Sequence, residues 1–320
     1  MWEVLETTEN VVSKSRHVQI DKKSLARFSR ILFEKDINPP SWNHHYHYCE
    51  KVEKTVHYLL VLDSLNFCFW PAPGKEKWKI RYKPGWLSGY FAMALALKRA
   101  IESGIPITSA NYLAGLSLDS LKRILGGKGD LQLLEERVQI LNELGQLLLD
   151  NYDGKAHKLV ESAGNSALEL VRILAEKLPS FRDISIYEDQ KVFFYKRAQI
   201  LAGDLYGTFS GKGWGDFTDI CELTAFADYK LPQILNHQGI LQYDQALEQK
   251  IDQKINIESG SREEVEIRAG TIHAVELIRD ELKENGKKLK AFEIDWILWD
   301  LSQSPSFNTR PYHRTKTIFY

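Results

Sequence analysis

The chain has 320 residues, of which 43 % are hydrophobic and 11 % aromatic, so it is long enough and apolar enough to bury a large core. Its formal charge of −1 disfavours a general nucleic-acid-binding protein. Its three cysteines have no paired or metal-ligand spacing, and Met1 to Arg16 lack the apolar core of a signal peptide. We therefore expect a cytoplasmic protein with no membrane span, no metal and no cofactor.

Apolar residues recur at helical spacing along most of the chain. In chain order, the predicted helices cover residues 20–34, 88–103, 118–125, 131–149, 156–163, 165–177, 193–205, a short helix after Asp228, 261–284 and 290–301. Alternation of cationic and apolar residues up to Tyr82 predicts a β-hairpin over residues 67–82, turning at 71–74, and residues 184–192 read as extended. The chain is thus expected to be mostly α-helical with a minor β-hairpin element.

Three histidines lie close together at positions 44, 45 and 47, which raises the question of a metal site. Two of them are adjacent, and no carboxylate lies at helical spacing from them. This pattern disfavours metal binding.

The apolar run from Val56 to Trp70 is interrupted by Asp63, Ser64 and Asn66. Polar groups inside such a run need hydrogen-bond partners or a ligand. We therefore keep these positions as candidates for a site.

The segment Leu223 to Leu235 places Asp228 between two aromatic rings and a lysine. Pro232 fits the first turn of a helix, so Asp228 lies just ahead of the positive end of that helix, where a carboxylate stays ionised. Such a carboxylate is suited to stabilising positive charge on a sugar. Local spacing alone favours a simple helix cap.

Several blocks in order resemble one family. They are residues 62–70, 88–90, 104–110, 194–201, 226–233 and 264–268, followed by 299–300 and 311–314. The chain resembles the queuosine salvage family, whose members are queuosine 5'-phosphate N-glycosylases, over residues 17–320. The segment around His44 to His47 is the least similar part.

The resemblance implies hydrolysis of the bond between ribose and the 7-deazaguanine base queuine in queuosine 5'-phosphate, a small-molecule substrate. It also implies a fold related to the helical DNA glycosylases, in which an aspartate at a helix N-terminus faces the anomeric carbon. The matching position here is Asp228. We expect residues 1–320 to form one catalytic unit, which allows two interlocked helical lobes, about 17–180 and 181–320, with the site between them.

Given this substrate, further residues receive roles. Lys196 and Lys230 are the first choices for the phosphate, ahead of Arg197, Arg310 and His313. Phe226, Tyr229, Phe67 and Tyr90 are candidates for walls of the base pocket. Asp63 suits the cationic amine of queuine, and Gln199 shares a helix face with Lys196. The residues that remain open for activating the leaving group are Asp63, Asn66, Asp204 and Glu266.

Some alternatives stay open from the sequence. Lys230 could instead form a Schiff base, as a lysine does in some DNA glycosylases, although a free nucleotide favours the phosphate role. The protein could act on DNA or tRNA as a polymer, or bind the nucleotide without hydrolysing it. Arg268 and Glu276 are expected to form structural salt bridges. The sequence leaves the oligomeric state open, and we expect no stable nucleic-acid complex.

Overall fold

A computed structural model describes residues 2–304 and 310–320 and confirms a mostly α-helical protein. The helices are α1 (Glu3–Lys14), α2 (Lys22–Glu34), α3 (Val52–Ser64), α4 (Tyr90–Glu102), α5 (Ala110–Ala114), α6 (Leu118–Leu125), α7 (Leu134–Tyr152), α8 (Ala156–Glu161), α9 (Ala167–Lys177), α10 (Lys196–Phe209), α11 (Lys230–His237), α12 (Gln245–Asp252), α13 (Arg262–Glu284) and α14 (Ala291–Ser302). No helix among the described residues combines the length and the apolar character that a bilayer crossing requires. The relation to the helical DNA glycosylases stays a prediction.

The strands form three small antiparallel pairs within the described ranges. They are β1 (Val18–Ile20) with β6 (Leu241–Tyr243), β2 (Lys79–Tyr82) with β3 (Gly85–Ser88), and β4 (Ile184–Tyr187) with β5 (Gln190–Phe193). The predicted hairpin was therefore misplaced, because its turn lies at residues 83–84 and not at 71–74. The stretch predicted as extended over 184–192 is itself a hairpin.

The sequence reading missed helix α1. This segment is mostly polar, yet Val4, Thr8 and Val11 are buried. The helix packs against α13, and Thr8 Oγ1 lies 3.0 Å from His273 Nε2. Tertiary packing, which a local pattern does not report, stabilises this helix.

Two neighbouring apolar cores meet at the segment that precedes α11. The larger core contains residues of α3, α4, α7, α9 and α10, and the second contains residues of α2, α11, α13 and α14. Phe226 and Ala227 belong to the larger core, whereas Ala225 and Leu231 belong to the second. The backbone around Asp228 is thus packed from both sides. The division into two lobes stays a prediction.

Two fully buried arginines hold the loop that follows α3. Arg137 donates to the carbonyl oxygens of Leu65 (2.5 Å) and Phe67 (2.6 Å), and Arg197 donates to that of Ser64. A guanidinium group carries five donors in a fixed fork, so each arginine can bond to more than one backbone carbonyl at once. This loop presents Asn66 and Phe67 to the cleft described below.

Helices α5 and α7 touch at Gly145. A Cβ atom at this position would lie 2.3 Å from the backbone N of Ala114 and 2.6 Å from the carbonyl oxygen of Ala110. Backbone atoms cannot swing aside as a flexible side chain can. The contact therefore requires glycine.

We expect Gly145→Ala to lower the free energy of unfolding by about 1–3 kcal/mol or more, because overpacking outweighs the gain in helix propensity of at most about 1 kcal/mol. Thermal denaturation measures the effect. Gly85→Ala is the control, since a Cβ there meets nothing within 4 Å, and it should change stability by less than about 0.5 kcal/mol. Equal melting temperatures for the two variants would contradict the packing argument.

Candidate functional site

A buried ion pair fixes the frame of the site. Arg268 on α13 donates to both carboxylate oxygens of Asp183, at 2.8 and 2.5 Å, and its Nε donates to the carbonyl oxygen of Ala227 at 3.2 Å. Asp183 also accepts the backbone N–H of Lys196, the first residue of α10, at 3.1 Å. One ion pair therefore positions Lys196 and the residue before Asp228 together. The structural role predicted for Arg268 is confirmed.

Asp228 caps α11 and faces a cleft. Its Oδ1 accepts the backbone N–H groups of Lys230 (2.7 Å) and Leu231 (2.9 Å), while the side chain stays about 8 % exposed. Burial raises the pKa of Asp228, whereas Lys196 and the two backbone N–H groups lower it. Among the described residues, Oδ2 accepts no hydrogen bond. Asp228 therefore both caps α11 and lines the cleft.

Lys196 is buried beside the carboxylates. Its Nζ donates to the carbonyl oxygen of Asn66 at 3.0 Å. Burial lowers the pKa of Lys196 to about 8, and Asp228 acts in the opposite direction. The group therefore remains largely protonated at neutral pH and supports the ionised form of Asp228.

The cleft has two chambers, and the larger one is acidic. We call this cavity of about 720 Å³ the acidic chamber; it is lined by Asp204, Asp228, Asp295 and Asp300, with Lys196 as its cation among the described residues. The rings of Phe226, Trp296 and Trp299 form part of its wall. An aromatic and acidic chamber suits a flat ligand that carries a positive charge.

The smaller chamber, of about 70 Å³, carries the opposite charge. We call it the lysine chamber, because Lys77, Lys196 and Lys230 line it. Burial lowers the pKa of Lys77 to about 8, and Lys230 acts in the same direction. Ser88 and Gly89, at the N-terminus of α4, also line it. Lysines at a helix N-terminus are suited to an anion such as phosphate.

The two chambers meet at a shared boundary. The residues that line both are Asn66, Tyr90, Phe91, Lys196, Asp228 and Trp299. A ligand with an anionic end and a cationic ring system would therefore span the cleft with its middle beside Asp228. The opposite charges of the two chambers would favour one orientation of such a ligand over the reverse.

A chain of hydrogen bonds runs along the wall of the acidic chamber. Tyr90 Oη lies 3.1 Å from Asp204 Oδ2 and 3.0 Å from His47 Nε2, and His47 Nδ1 lies 2.7 Å from the carbonyl oxygen of Asn43. Burial raises the pKa of Asp204 to about 7. Burial, followed by the neighbouring Asp204, raises the pKa of Asp63 well above its usual range.

The other two histidines of the segment face different partners. The carbonyl oxygen of His44 accepts from Lys98 Nζ, and His45 Nε2 contacts Tyr82 Oη. The described residues contain no group of three or more His, Cys, Asp or Glu side chains arranged for a metal ion.

The cleft collects most of the predicted site residues. Asp228, Phe226, Tyr229, Lys230, Lys196, Asn66, Phe67 and Tyr90 line it. Four others lie outside its lining: Gln199, whose amide bonds to Thr224 and Phe194; Asp63, buried behind Asp204; Arg310, which pairs with Glu248; and His313, buried against Tyr320. Ligand contacts from these four stay predictions without geometric support.

Two other candidates are explained structurally. Glu266 accepts from Ser15, the backbone of residues 16 and 17, and Tyr187, so its oxygens are used away from the cleft. Glu276 pairs with Arg279, as expected of a structural salt bridge.

Sequence reasoning missed Lys77, Asp295 and the rings of Phe91 and Trp296. Asp295 had a usable signal, because it interrupts the apolar sequence of α14; its Oδ2 accepts the backbone N–H of Phe226 at 2.7 Å. No sequence signal distinguished Lys77, because the alternation predicted it on the outer face of a strand together with Lys79. The strand begins only at Lys79, and Lys77 turns toward the cleft.

The fold and the cleft together define a class: a helical protein with a buried carboxylate at the junction of an acidic and a basic chamber. The family model described as "Queuosine salvage protein" matches residues 45–320, so the chain belongs to the queuosine salvage family. The resemblance read from the sequence blocks is confirmed.

Relatives carry one printed name, queuosine 5'-phosphate N-glycosylase/hydrolase. The relative from Sphaerobacter thermophilus is 46 % identical, over 99 % of this chain and 97 % of its own. That from Dictyostelium discoideum is 37 % identical, over 99 % and 98 %. That from Schizosaccharomyces pombe is 32 % identical over the full length of both chains.

We expect Arg268→Met to lower the free energy of unfolding by about 3–5 kcal/mol, because it leaves the Asp183 carboxylate buried without its partner. Urea denaturation measures the loss. Arg262→Met is the control on the same helix: Arg262 is about 32 % exposed in its pair with Glu188, and the buried Glu266 3.7 Å away keeps its donors from Ser15, Arg16 and His17, so its loss should be only about 1 kcal/mol. Similar losses for both variants would count against the central role of Arg268.

Proposed function

We propose that this protein hydrolyses the N-glycosidic bond of queuosine 5'-phosphate and releases queuine and ribose 5-phosphate. Family membership and the printed names of the relatives support this proposal. The observation that carries it is the position of Asp228 at the boundary of the two chambers. With the base in one chamber and the phosphate in the other, the ribose between them lies beside this carboxylate.

Asp228 would stabilise the transition state. Cleavage of the bond to the base develops positive charge on the ribose, and a fixed carboxylate interacts with that charge more strongly than with the neutral sugar. Oδ1 is held by two backbone N–H groups, so the side chain needs no reorganisation as the charge develops. Oδ2 then takes the proton of the attacking water.

The acidic chamber would hold the base. Aromatic walls such as Phe226 and Trp299 favour stacking of a flat ring, which contributes about 1–3 kcal/mol per base. Phe226 can approach closely because its neighbour on α10 is Gly203, where a Cβ would lie 3.1 Å from the phenyl Cζ. The carboxylates of this chamber, in particular the exposed Asp300, suit the cationic amine of queuine.

The lysine chamber would hold the phosphate. Lys77 and Lys230 supply positive charge, and the N-terminus of α4, at residues 88–91, lines the same space. Lys196, predicted as a phosphate ligand, lies at the boundary among carboxylates, so its main contribution is to Asp228. A Schiff base at Lys230 is not needed for this reaction.

We expect Asp228→Asn to reduce kcat for queuine release by about 10³-fold, because the amide cannot balance the charge on the ribose. Chromatographic detection of free queuine measures it. Asp21→Asn is the matched control: Asp21 caps α2 by accepting from the backbone N of Ser24 at 2.7 Å, far from the cleft, and asparagine caps equally well. Full activity of Asp228→Asn would overturn the mechanism, and unchanged nucleotide with the parent protein would overturn the function.

We expect Lys230→Met to weaken inhibition by ribose 5-phosphate about 10- to 100-fold, because a charge-assisted hydrogen bond to the phosphate is lost. Inhibition by queuine, which has no phosphate, should change less than about threefold. Lys75→Met, at an exposed lysine outside the chamber, is the control. Equal weakening of both inhibitors would place Lys230 elsewhere than at the phosphate.

A further inference from the structure

The leaving group poses a chemical problem that Asp228 does not solve. A 7-deazapurine has carbon in place of N7, so the usual protonation site of a departing purine is absent. The base must nevertheless leave with the electron pair of the glycosidic bond. A proton donor at another edge of the base would lower the barrier, typically by 10²- to 10⁴-fold in rate.

We propose that Asp204 is the general acid that protonates the departing base, and that Asp63, Tyr90 and His47 position it. This inference rests on the proposed function. Asp204 lines the chamber assigned to the base, whereas Asp228 lies at the boundary with the phosphate side. The two carboxyl groups can therefore act on opposite sides of the bond that breaks.

The hydrogen-bond chain fixes the direction of each proton. The carbonyl oxygen of Asn43 can only accept, so His47 Nδ1 carries a hydrogen. Burial lowers the pKa of His47 to about 4, which keeps the ring neutral and makes Nε2 an acceptor. Tyr90 can then donate to His47 Nε2 or to Asp204 Oδ2, which leaves the proton of a neutral Asp204 on Oδ1.

After proton transfer the same groups stabilise the Asp204 carboxylate. The Tyr90 hydroxyl can turn from His47 to Asp204, since its oxygen lies 3.0 and 3.1 Å from the two partners. Asp63, kept neutral by burial, neighbours Asp204, so its proton can stabilise the Asp204 carboxylate. If Asp63 were ionised, neither of its oxygens would meet a hydrogen-bond donor among the described residues. A buried charge without a partner is costly, so this carboxyl group keeps its proton.

The step balances as follows. The oxygen of water bonds to the anomeric carbon, the glycosidic bond breaks, and its electron pair passes to the base. The base takes the Asp204 proton, and Asp228 takes a proton from the water. Exchange with solvent restores both carboxyl groups.

The pH dependence of turnover is set by the charged and titratable groups around Asp204. These are Tyr58 and Asp63 of α3, His47 of the preceding loop, Tyr90 of α4, Lys196 of α10 and Asp295 of α14. The acid must be protonated, so turnover should fall as pH rises through the Asp204 pKa of about 7. Because Asp63 and Asp204 interact, the apparent pKa in the pH profile belongs to the pair and not to either residue alone.

The test compares two leaving groups. We expect Asp204→Asn to lower kcat for queuosine 5'-phosphate by about 10²- to 10⁴-fold, yet to hydrolyse p-nitrophenyl riboside 5'-phosphate within about threefold of the parent, because nitrophenolate leaves without a proton. Asp228→Asn should lose both activities. Equal losses on both substrates for Asp204→Asn, or none, would overturn the acid role.

Tyr90→Phe tests positioning. Loss of its hydroxyl removes a bond that lowers the pKa of Asp204, so the falling limb of kcat against pH should move to higher pH while the ring still packs. An unmoved limb would refute the role of Tyr90. Circular dichroism checks the fold of each variant. If the parent cleaves neither substrate, the proposed function itself fails, which is distinct from a failure at Asp204.

Discussion

The ion pair between Arg268 and Asp183 is the interaction on which the site depends. It joins α13 to the start of α10 and to the carbonyl of Ala227, so it sets the distance between Lys196 and Asp228. Both charges are taken out of water, which makes the pair costly unless every remaining donor and acceptor is used. Here the guanidinium also packs 3.9 Å from the centre of the Phe194 ring, and Glu264 lies within 3.5 Å. These contacts therefore fix the charged side chains of Arg268 and Asp183 in place.

Asp228 illustrates how structure and chemistry coincide. A helix cap is an electrostatic device, since it brings a carboxylate to two backbone N–H groups at the positive end of a helix. Those donors oppose the effect of burial on its pKa. The same arrangement that begins α11 thus favours the ionised form of Asp228 against the effect of burial. Under the proposed mechanism, the carboxylate at this position would contribute to stability as well as to reaction.

Local patterns in the sequence predicted much of this molecule, including most helices and Asp228 ahead of a proline-led helix. They failed at positions whose structure is determined by contacts with residues distant in the sequence. Helix α1 is mostly polar, and Lys77 lies before the strand whose alternation seemed to describe it. Arg137 is an arginine on a helix, which usually means a solvated face, yet it is fully buried under backbone carbonyls. Partners distant in sequence determine such positions, and one-dimensional spacing does not record them.

The distribution of charge in the cleft also explains how a ligand finds its direction. The acidic chamber holds the carboxyl groups of Asp228 and Asp300 beside Lys196, whereas burial raises the pKa of Asp204 and Asp295 and favours their neutral forms. The lysine chamber holds three lysines against Asp228, counted over the described residues. A nucleotide inserted backwards would bring its phosphate to the aspartates and its amine to the lysines. In a buried site, where charges are weakly screened, both encounters are repulsive. Under the proposed function, the orientation of the nucleotide would therefore be selected by exclusion of the wrong one as much as by attraction, and it would bring the bond to be broken between Asp228 and Asp204.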